Sequence, residues 1–399
     1  MKLEEGGFSD WVKIPAKMQN QFFELAERQA KEVKAKLLKD KAKLNSLSKL
    51  LKFSKISEND DWKSWRIAVV DGSDSPVMSE RIGGRFGTYG ATYHIFQGLE
   101  LVDEEYYSGD YSDYQMGDPE ASIKMLQVLT AKLERQTAMD CLHKDVDLII
   151  IDGSFFGFRP NCRRIHNMPI REGFLKTGLE LVKYTRDLSI RLLESGKAIG
   201  IIKRVQSSAI DGWTIYKNGN QDLQLYRNDK EILASLLREG EWFSYETAFQ
   251  DPGLFAYYSR LALAYERYAR ERERTIESIF KAIMGDVDRN IKRDLLCEPD
   301  QILRTARYYV RCVYPAPPFC FETPVNFDLA PLLAFFKASC NKATGLPIQL
   351  DLTDQDITIP AGFTREFVEE IEARLTKYSD LDMYEVENHF GSLNPQKQE

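Results

Sequence analysis

The sequence is poor in the residues that build soft-metal and disulfide sites. Its 399 residues hold six cysteines and four histidines. The cysteines (Cys141, Cys162, Cys297, Cys312, Cys320, Cys340) are scattered with no CxxC pair, which argues against a zinc ribbon or a disulfide framework and fits a reducing cytoplasm. With so few histidines, a metal here is expected on carboxylates, which suits Mg²⁺ or Mn²⁺. No Walker A string GxxxxGK[ST] occurs, so no ATPase is expected in this chain. No apolar run is long enough to span a bilayer, Met1–Ser9 has no signal-peptide pattern, and no tandem repeat recurs at a fixed period. Excess positive charge is missing too: the net charge is −7. That weakly opposes a dedicated nucleic-acid binder but not an enzyme with a local basic channel.

What is present is a mixed α/β pattern. Residues 17–56 place apolar residues among Lys, Glu and Ala at helical spacing, predicting one or two amphipathic helices in an N-terminal extension over residues 1–60. Its lysines read mainly as a solvated face. From Trp65 the pattern turns to strands: "WRIAVVDGS", the Gly- and aromatic-rich "GGRFGTYGATYHIFQG", and "LELVDEEYY", followed by a polar loop, "SGDYSDYQMGDPE". A helix follows, with Asp118 as cap and Pro119 in its first turn. Then come the strand "VDLIIIDGS", a helix closed by Gly196, and the strand "KAIGIIKRV". Residues 220–300 read as a mainly helical insertion, "RTARYYVRCVYPAPPFCFETP" as strand broken by a Pro-rich turn, and "TREFVEEIEARLTKY" as a late helix. The main domain is expected over 61–385, with a disordered tail over 386–399.

Two stretches read almost alike: "RIAVVDGSDS" from Arg66 and "DLIIIDGSFF" from Asp147. Each is a β-branched run that ends in Asp-Gly-Ser, predicting two strand-terminal turns. Carboxylates outside the carboxyl ends of strands sit where open α/β sheets place their ligands. If the strands are neighbours, Asp71 and Asp152 meet, and a divalent cation is the simplest resolution of their repulsion. Glu134, beside the apolar face of the intervening helix, is the candidate third ligand, with Asp140 and Asp145 also in that interval. Lys203 ends the next strand and can hold a phosphate as a point cation. Ser73 and Ser154 can bond back into their turns or reach a phosphate. Arg159, Arg163 and Arg164 follow the second turn and are candidate phosphate contacts. Phe155, Phe156 and Phe158 are candidates to stack on bases or, more simply, to pack the core. Asp229 reads as a helix N-cap. Two aspartates and a glutamate around divalent metal are the apparatus of phosphodiester hydrolysis. The hairpin meander that opens the core is that of a ribonuclease-H-like mixed sheet.

These stretches, with "IIKRV", "NDKEILASLLREG" and "YYVRC…FCFETP", resemble the NurA nuclease family in order from about residue 60 to 375. The resemblance implies a ribonuclease-H-like core in a homodimeric ring around DNA. It implies a Mn²⁺-dependent (or Mg²⁺-dependent) deoxyribonuclease with one or two ions, acting as 5′→3′ exonuclease and single-strand endonuclease. Its implied partner is a HerA-type hexameric helicase-translocase, in end resection and recombinational repair. By motif position Asp71, Glu134 and Asp152 would be metal ligands and Lys203 the lysine after the next core strand. The family carries a histidine in a C-terminal helix after Gly-Tyr-Pro. Here Gly362-Phe363-Thr364 stands in that place and no histidine follows in the helix; His389 lies too far downstream. Either an acid such as Glu370 or Glu372 substitutes, or the position is dispensable, or activity is altered. The alternatives are a non-catalytic DNA clamp or translocase-docking subunit on the same fold, and an RNA-cutting relative.

Overall fold

The computed structural model describes residues 14–115, 117–251, 253–269, 275–378 and 381–393. Strands β1 (Arg66–Asp74), β2 (Gly84–Gln97) and β3 (Glu100–Asp113) form an antiparallel meander. Helix α1 (Ala16–Leu50) precedes it and helix α2 (Pro119–Cys141) follows it. Next come β4 (Leu148–Asp152), α3 (Arg159–Ile165), α4 (Gly178–Glu194) and β5 (Ala198–Ile202). β1, β4 and β5 are parallel neighbours. The central order β5-β4-β1-β2, with β3 on β2, is the ribonuclease-H-like core.

The segment between β5 and the next long strand is mainly helical: α5 (Ala209–Asn218), α6 (Asp229–Leu236), α7 (Leu254–Ala269) and α8 (Ile276–Leu295), with the strand β6 (Glu241–Ser244) inside it. The hairpin β7 (Thr305–Arg311) and β8 (Phe319–Pro324) then joins the sheet, β8 antiparallel to β5 and β6 antiparallel to β7. Four helices close the chain: α9 (Leu329–Ala338), α10 (Ile348–Ile357), α11 (Phe363–Leu375) and α12 (Met383–Phe390).

The period of two along β1 decides which side chains face which layer. Ile67 and Val69 pack with Leu148, Ile150, Ile199 and Ile201 against Phe335 and Phe336 of α9. Ala68 and Val70 pack on the other face with Ile149, Ile151, Ala138 and Leu192, under α2 and α4. Burying each Val or Ile here contributes about 1.5–3 kcal/mol. Local chemistry agrees with the element ends: Asp118 accepts from the Glu120 N–H, and Thr177 with Glu180 forms a capping box on α4.

The N-terminal extension forms one of the one or two helices expected, over Ala16–Leu50, with residues 1–13 outside the described residues. Three expectations change. The stretch Ser108–Asp113 is strand, not loop, because β3 pairs residue for residue with β2 as far as Asp113 against Arg85. Pairing there overrides the poor strand propensity of Gly and Asp. Residues 386–390 are not tail: α12 runs to Phe390, with Val386 and Phe390 buried beside Phe86, and residues 394–399 lie outside the described residues. Asp229 is not the N-cap of its own helix, since Asn228 is; buried, it accepts the Ala209 and Ile210 N–H groups and so caps α5 instead.

Candidate metal centre

The two Asp-Gly-Ser strings do different jobs. The second is a turn: β4 stops at Asp152, and Gly153 takes φ +111°, a conformation that favours glycine. The first is not. β1 runs straight through Asp71-Gly72-Ser73 to Asp74, held by β2 along its whole length, with Asp71 opposite Thr92 and Asp74 opposite Tyr89. Gly72 serves another purpose. A Cβ there would lie 3.1 Å from Thr130 Cγ2 and 3.4 Å from Glu134 Cβ, so its absence lets α2 close onto the strand.

The strands are neighbours in register. Val70 pairs with Ile151, so Asp71 and Asp152 occupy the next position on adjacent parallel strands. Both continue the row of Val69 and Ile150 and face the α9–α10 layer. Lys203, one step past β5, has the parity of Ile199 and Ile201 and joins them. Its Nζ lies 2.6 Å from Asp152 Oδ2 and 2.9 Å from Asp354 Oδ1.

Asp354, on α10, went unrecognised in the sequence. One carboxylate oxygen from each of Asp71, Asp152 and Asp354 lies within 4.8 Å of the others. α10 is held over the sheet by three bonds: Gln349 Nε2 donates to the Gly98 carbonyl, Thr353 Oγ1 meets His94 Nδ1 at 3.2 Å, and the Ile359 N–H donates to Ser73 Oγ. The only signal in the sequence was an aspartate-rich turn, "DLTDQD", with nothing to separate Asp354 from Asp351 or Asp356.

Glu134, the third ligand expected from the sequence, approaches from the opposite face of the sheet beside Gly72 but is not one of the three clustered carboxylates. It is buried, and its Oε1 is ion-paired with the Arg135 guanidinium at 2.8 Å. Burial pushes its carboxyl up to about 7, opposed by Arg135 and reinforced by Asp152. Burial likewise lifts Asp71 well above the usual carboxylate range, reinforced by Asp152 and Glu134 and opposed by Lys203. Asp152 is raised by burial against the pull of Lys203. Burial disfavours the Lys203 cation, but Asp152, Asp354 and Asp71 outweigh it and hold the ammonium above the ordinary lysine range. Crowded acids that resist losing their protons make an all-oxygen donor set that suits a hard divalent cation.

The other predicted residues fall elsewhere. Ser154 Oγ accepts from Arg307, and Ser73 Oγ from Ile359. Phe155 and Phe158 are core residues, while Phe156 and Arg159 line a cleft of about 900 Å³ that opens from Asp152, Lys203 and Asp354. Arg163 and Arg164 are exposed and do not line that cleft; Arg164 is paired with Asp118 and Glu120. Glu370 is paired with Arg374 on the surface of α11, and neither it nor Glu372 joins the carboxylate cluster. The carboxylate that the C-terminal region brings to the site is Asp354, from the preceding helix.

The fold and this carboxylate edge define a ribonuclease-H-like α/β protein. The fold is similar to that of the NurA nuclease from Sulfolobus solfataricus, which superposes with a TM-score of 0.54 at 14% identity, over 92% of this chain and 100% of that one. NurA with manganese aligns with a TM-score of 0.45 at 12% identity over 88% and 99%, and NurA bound to dAMP and manganese with 0.40 at 13% over 93% and 99%. No protein-family model matches the chain, and no curated protein matches it.

Proposed function

We propose that the chain is a NurA-type, metal-dependent deoxyribonuclease. The observation that carries this is the in-register meeting of Asp71 and Asp152 on adjacent parallel strands, completed by Asp354 and Lys203. Asp71, Asp152 and Asp354 would hold the ion, with Glu134 beside them. A bound Mn²⁺ or Mg²⁺ supplies Lewis acidity, lowering the pKa of water and stabilising the leaving oxygen. The protein's own part is to keep Asp71 and Asp152 fixed and largely desolvated on adjacent strands, with Asp354 above them on α10, and to present Lys203 as a compact cation toward a phosphate. Net hydrolysis adds water across one P–O bond, leaving one phosphate and one hydroxyl end.

By its resemblance to NurA, the reading extends to 5′→3′ exonuclease and single-strand endonuclease activity, a homodimer, and work at DNA ends for resection and repair. The chain has no Walker A motif, so translocation would come from a HerA-type hexameric ATPase. The test is cleavage of labelled single-stranded DNA with Mn²⁺, wild type beside Asp71→Ala and Asp152→Asn. Each variant should lose more than the ~10–100-fold typical of removing an outer-shell partner, with its circular dichroism unchanged. Full activity in either would sink the assignment. A wild type that binds DNA but never cuts would make the chain a clamp, and preference for RNA would make it a different nuclease on this core.

A further inference from the structure

The cleft beside the carboxylates has an electrostatic character opposite to that of the chain. Lys203, Arg159, Arg204, Arg260 and Arg307 line it against Asp152, Glu322 and Asp354, in a protein of net charge −7. Most of these charges are spoken for. Lys203 pairs with Asp152 and Asp354; Arg307 pairs with Glu322, donates to Ser154 and lies over the Phe255 ring. Arg159, Arg204 and Arg260 are different: none of their side chains makes an ion pair or hydrogen bond among the described residues, and only the Asp294 charge supports Arg159 from nearby. Arg159 is largely desolvated, which disfavours its charge. Cations kept unpaired along a cleft favour a polyanion over the protein's own carboxylates.

The three arginines come from three elements: Arg204 follows β5, Arg159 opens α3, and Arg260 lies on α7 of the helical insertion. They share the wall with Phe156, Ala256 and Leu263, the last 71% exposed. A single small anion needs convergent donors and no apolar wall. Cations interleaved with apolar side chains suit a chain of phosphates whose bases are unpaired.

We propose that this cleft carries one unpaired nucleic-acid strand away from the carboxylate cluster, with Arg204, Arg159 and Arg260 gripping successive phosphates. The identity of the polyanion rests on the nuclease reading; the assignment of the three arginines does not depend on cleavage. The helical insertion is then part of the substrate path, not only a structural addition.

The experiment is fluorescence anisotropy with the full chain, without divalent metal, using a labelled single-stranded oligonucleotide over a salt series. Each arginine changed to glutamine should reduce the slope of log K against log salt by about 0.7, and the triple variant by about 2. Its affinity for the single strand should fall more than tenfold at low salt. Arg204→Gln alone guards against a folding artefact, because Arg204 is exposed. Arg→Lys at each position should restore most of the slope. An unchanged slope in the triple variant, or a loss that follows Arg163→Gln with Arg164→Gln instead, overturns the proposal. Cleavage by wild type with an unchanged triple variant removes this proposal and leaves the nuclease; a slope that falls as expected in a protein that never cuts does the reverse.

Discussion

Glu134 holds its proton at a pH where an exposed glutamate has lost it. Burial lifts its carboxyl to about 7. With the folded value above the unfolded one, this group stabilises the metal-free protein most fully below the unfolded value, and that contribution is lost as pH rises through about 7. A divalent cation needs the carboxylate form, so binding must expel the proton, and affinity should rise with pH across this range. The expected result is a Mn²⁺-induced increase in melting temperature that grows from about pH 5 to about pH 8, measured by scanning calorimetry. Glu134→Gln should remove the part of that growth centred near 7. A pH dependence identical to wild type would exclude Glu134 from the site. Gly72→Ala probes the same contact sterically. Its Cβ would meet Thr130 Cγ2 at 3.1 Å, and Thr130 is fixed by its bond to the Leu126 carbonyl. Overpacking of this kind costs about 1–3 kcal/mol; it should lower the melting temperature and weaken Mn²⁺ binding together. Asp71 and Asp152 were legible in the sequence because each follows a buried β-branched run. The role of Gly72 was not, because a glycine that admits a helix and a glycine that makes a turn are written alike.

Helix α10 brings Asp354 to the strands, and what holds α10 sets where that carboxylate sits. Thr353 is central: its hydroxyl meets His94 Nδ1 and also bonds back to the Gln349 carbonyl. Thr353→Val keeps the shape and deletes the hydroxyl, leaving His94 Nδ1 without this partner in the core, at a cost of about 1–3 kcal/mol. The expected outcome is a lower melting temperature and a weaker apparent Mn²⁺ affinity. Asp354→Ala should weaken metal binding with little change in melting temperature, because its side chain is 51% exposed. Equal metal affinity in both variants and wild type, by isothermal titration, would leave α10 outside the site. Sequence could not have chosen this helix. Its carboxylate reaches Asp152 across some two hundred residues, and neither periodicity nor capping encodes that closure. The elements that were legible (β1, α2, β4, α4, β5 and the β7–β8 hairpin) are those whose local pattern and tertiary role agree. β3 was cut short at a run of Gly, Tyr and Asp, where only its pairing with β2 makes a strand.

At the scale of the whole molecule, the buried residues of α1 lie toward its C-terminal end. Its 35 residues make a rod about 50 Å long. Asp40 and Leu47 are its buried residues, followed by Leu51 just past its end. Asp40 pairs with Arg227 at 2.7 Å, and Lys43 Nζ donates to the Gln224 carbonyl. Met18, Leu25, Val33 and Leu37 stay exposed on the same side, since 18, 25, 33, 37, 40, 44 and 47 share one stripe at 3.6 residues per turn. Removing Arg227 would leave the Asp40 carboxylate buried alone, which costs about 3–5 kcal/mol if the helix stays in place. The helix has a cheaper route: it can release its seat into water while the sheet and its two cores remain folded. Arg227→Ala should therefore raise trypsin cleavage at Lys41, Lys43 and Lys49 much more than it lowers the main calorimetric transition. Hydrogen exchange should quicken over residues 40–51 and not in β1 or β4. A global fall in stability in this variant would mean that α1 belongs to the cooperative core rather than resting on it.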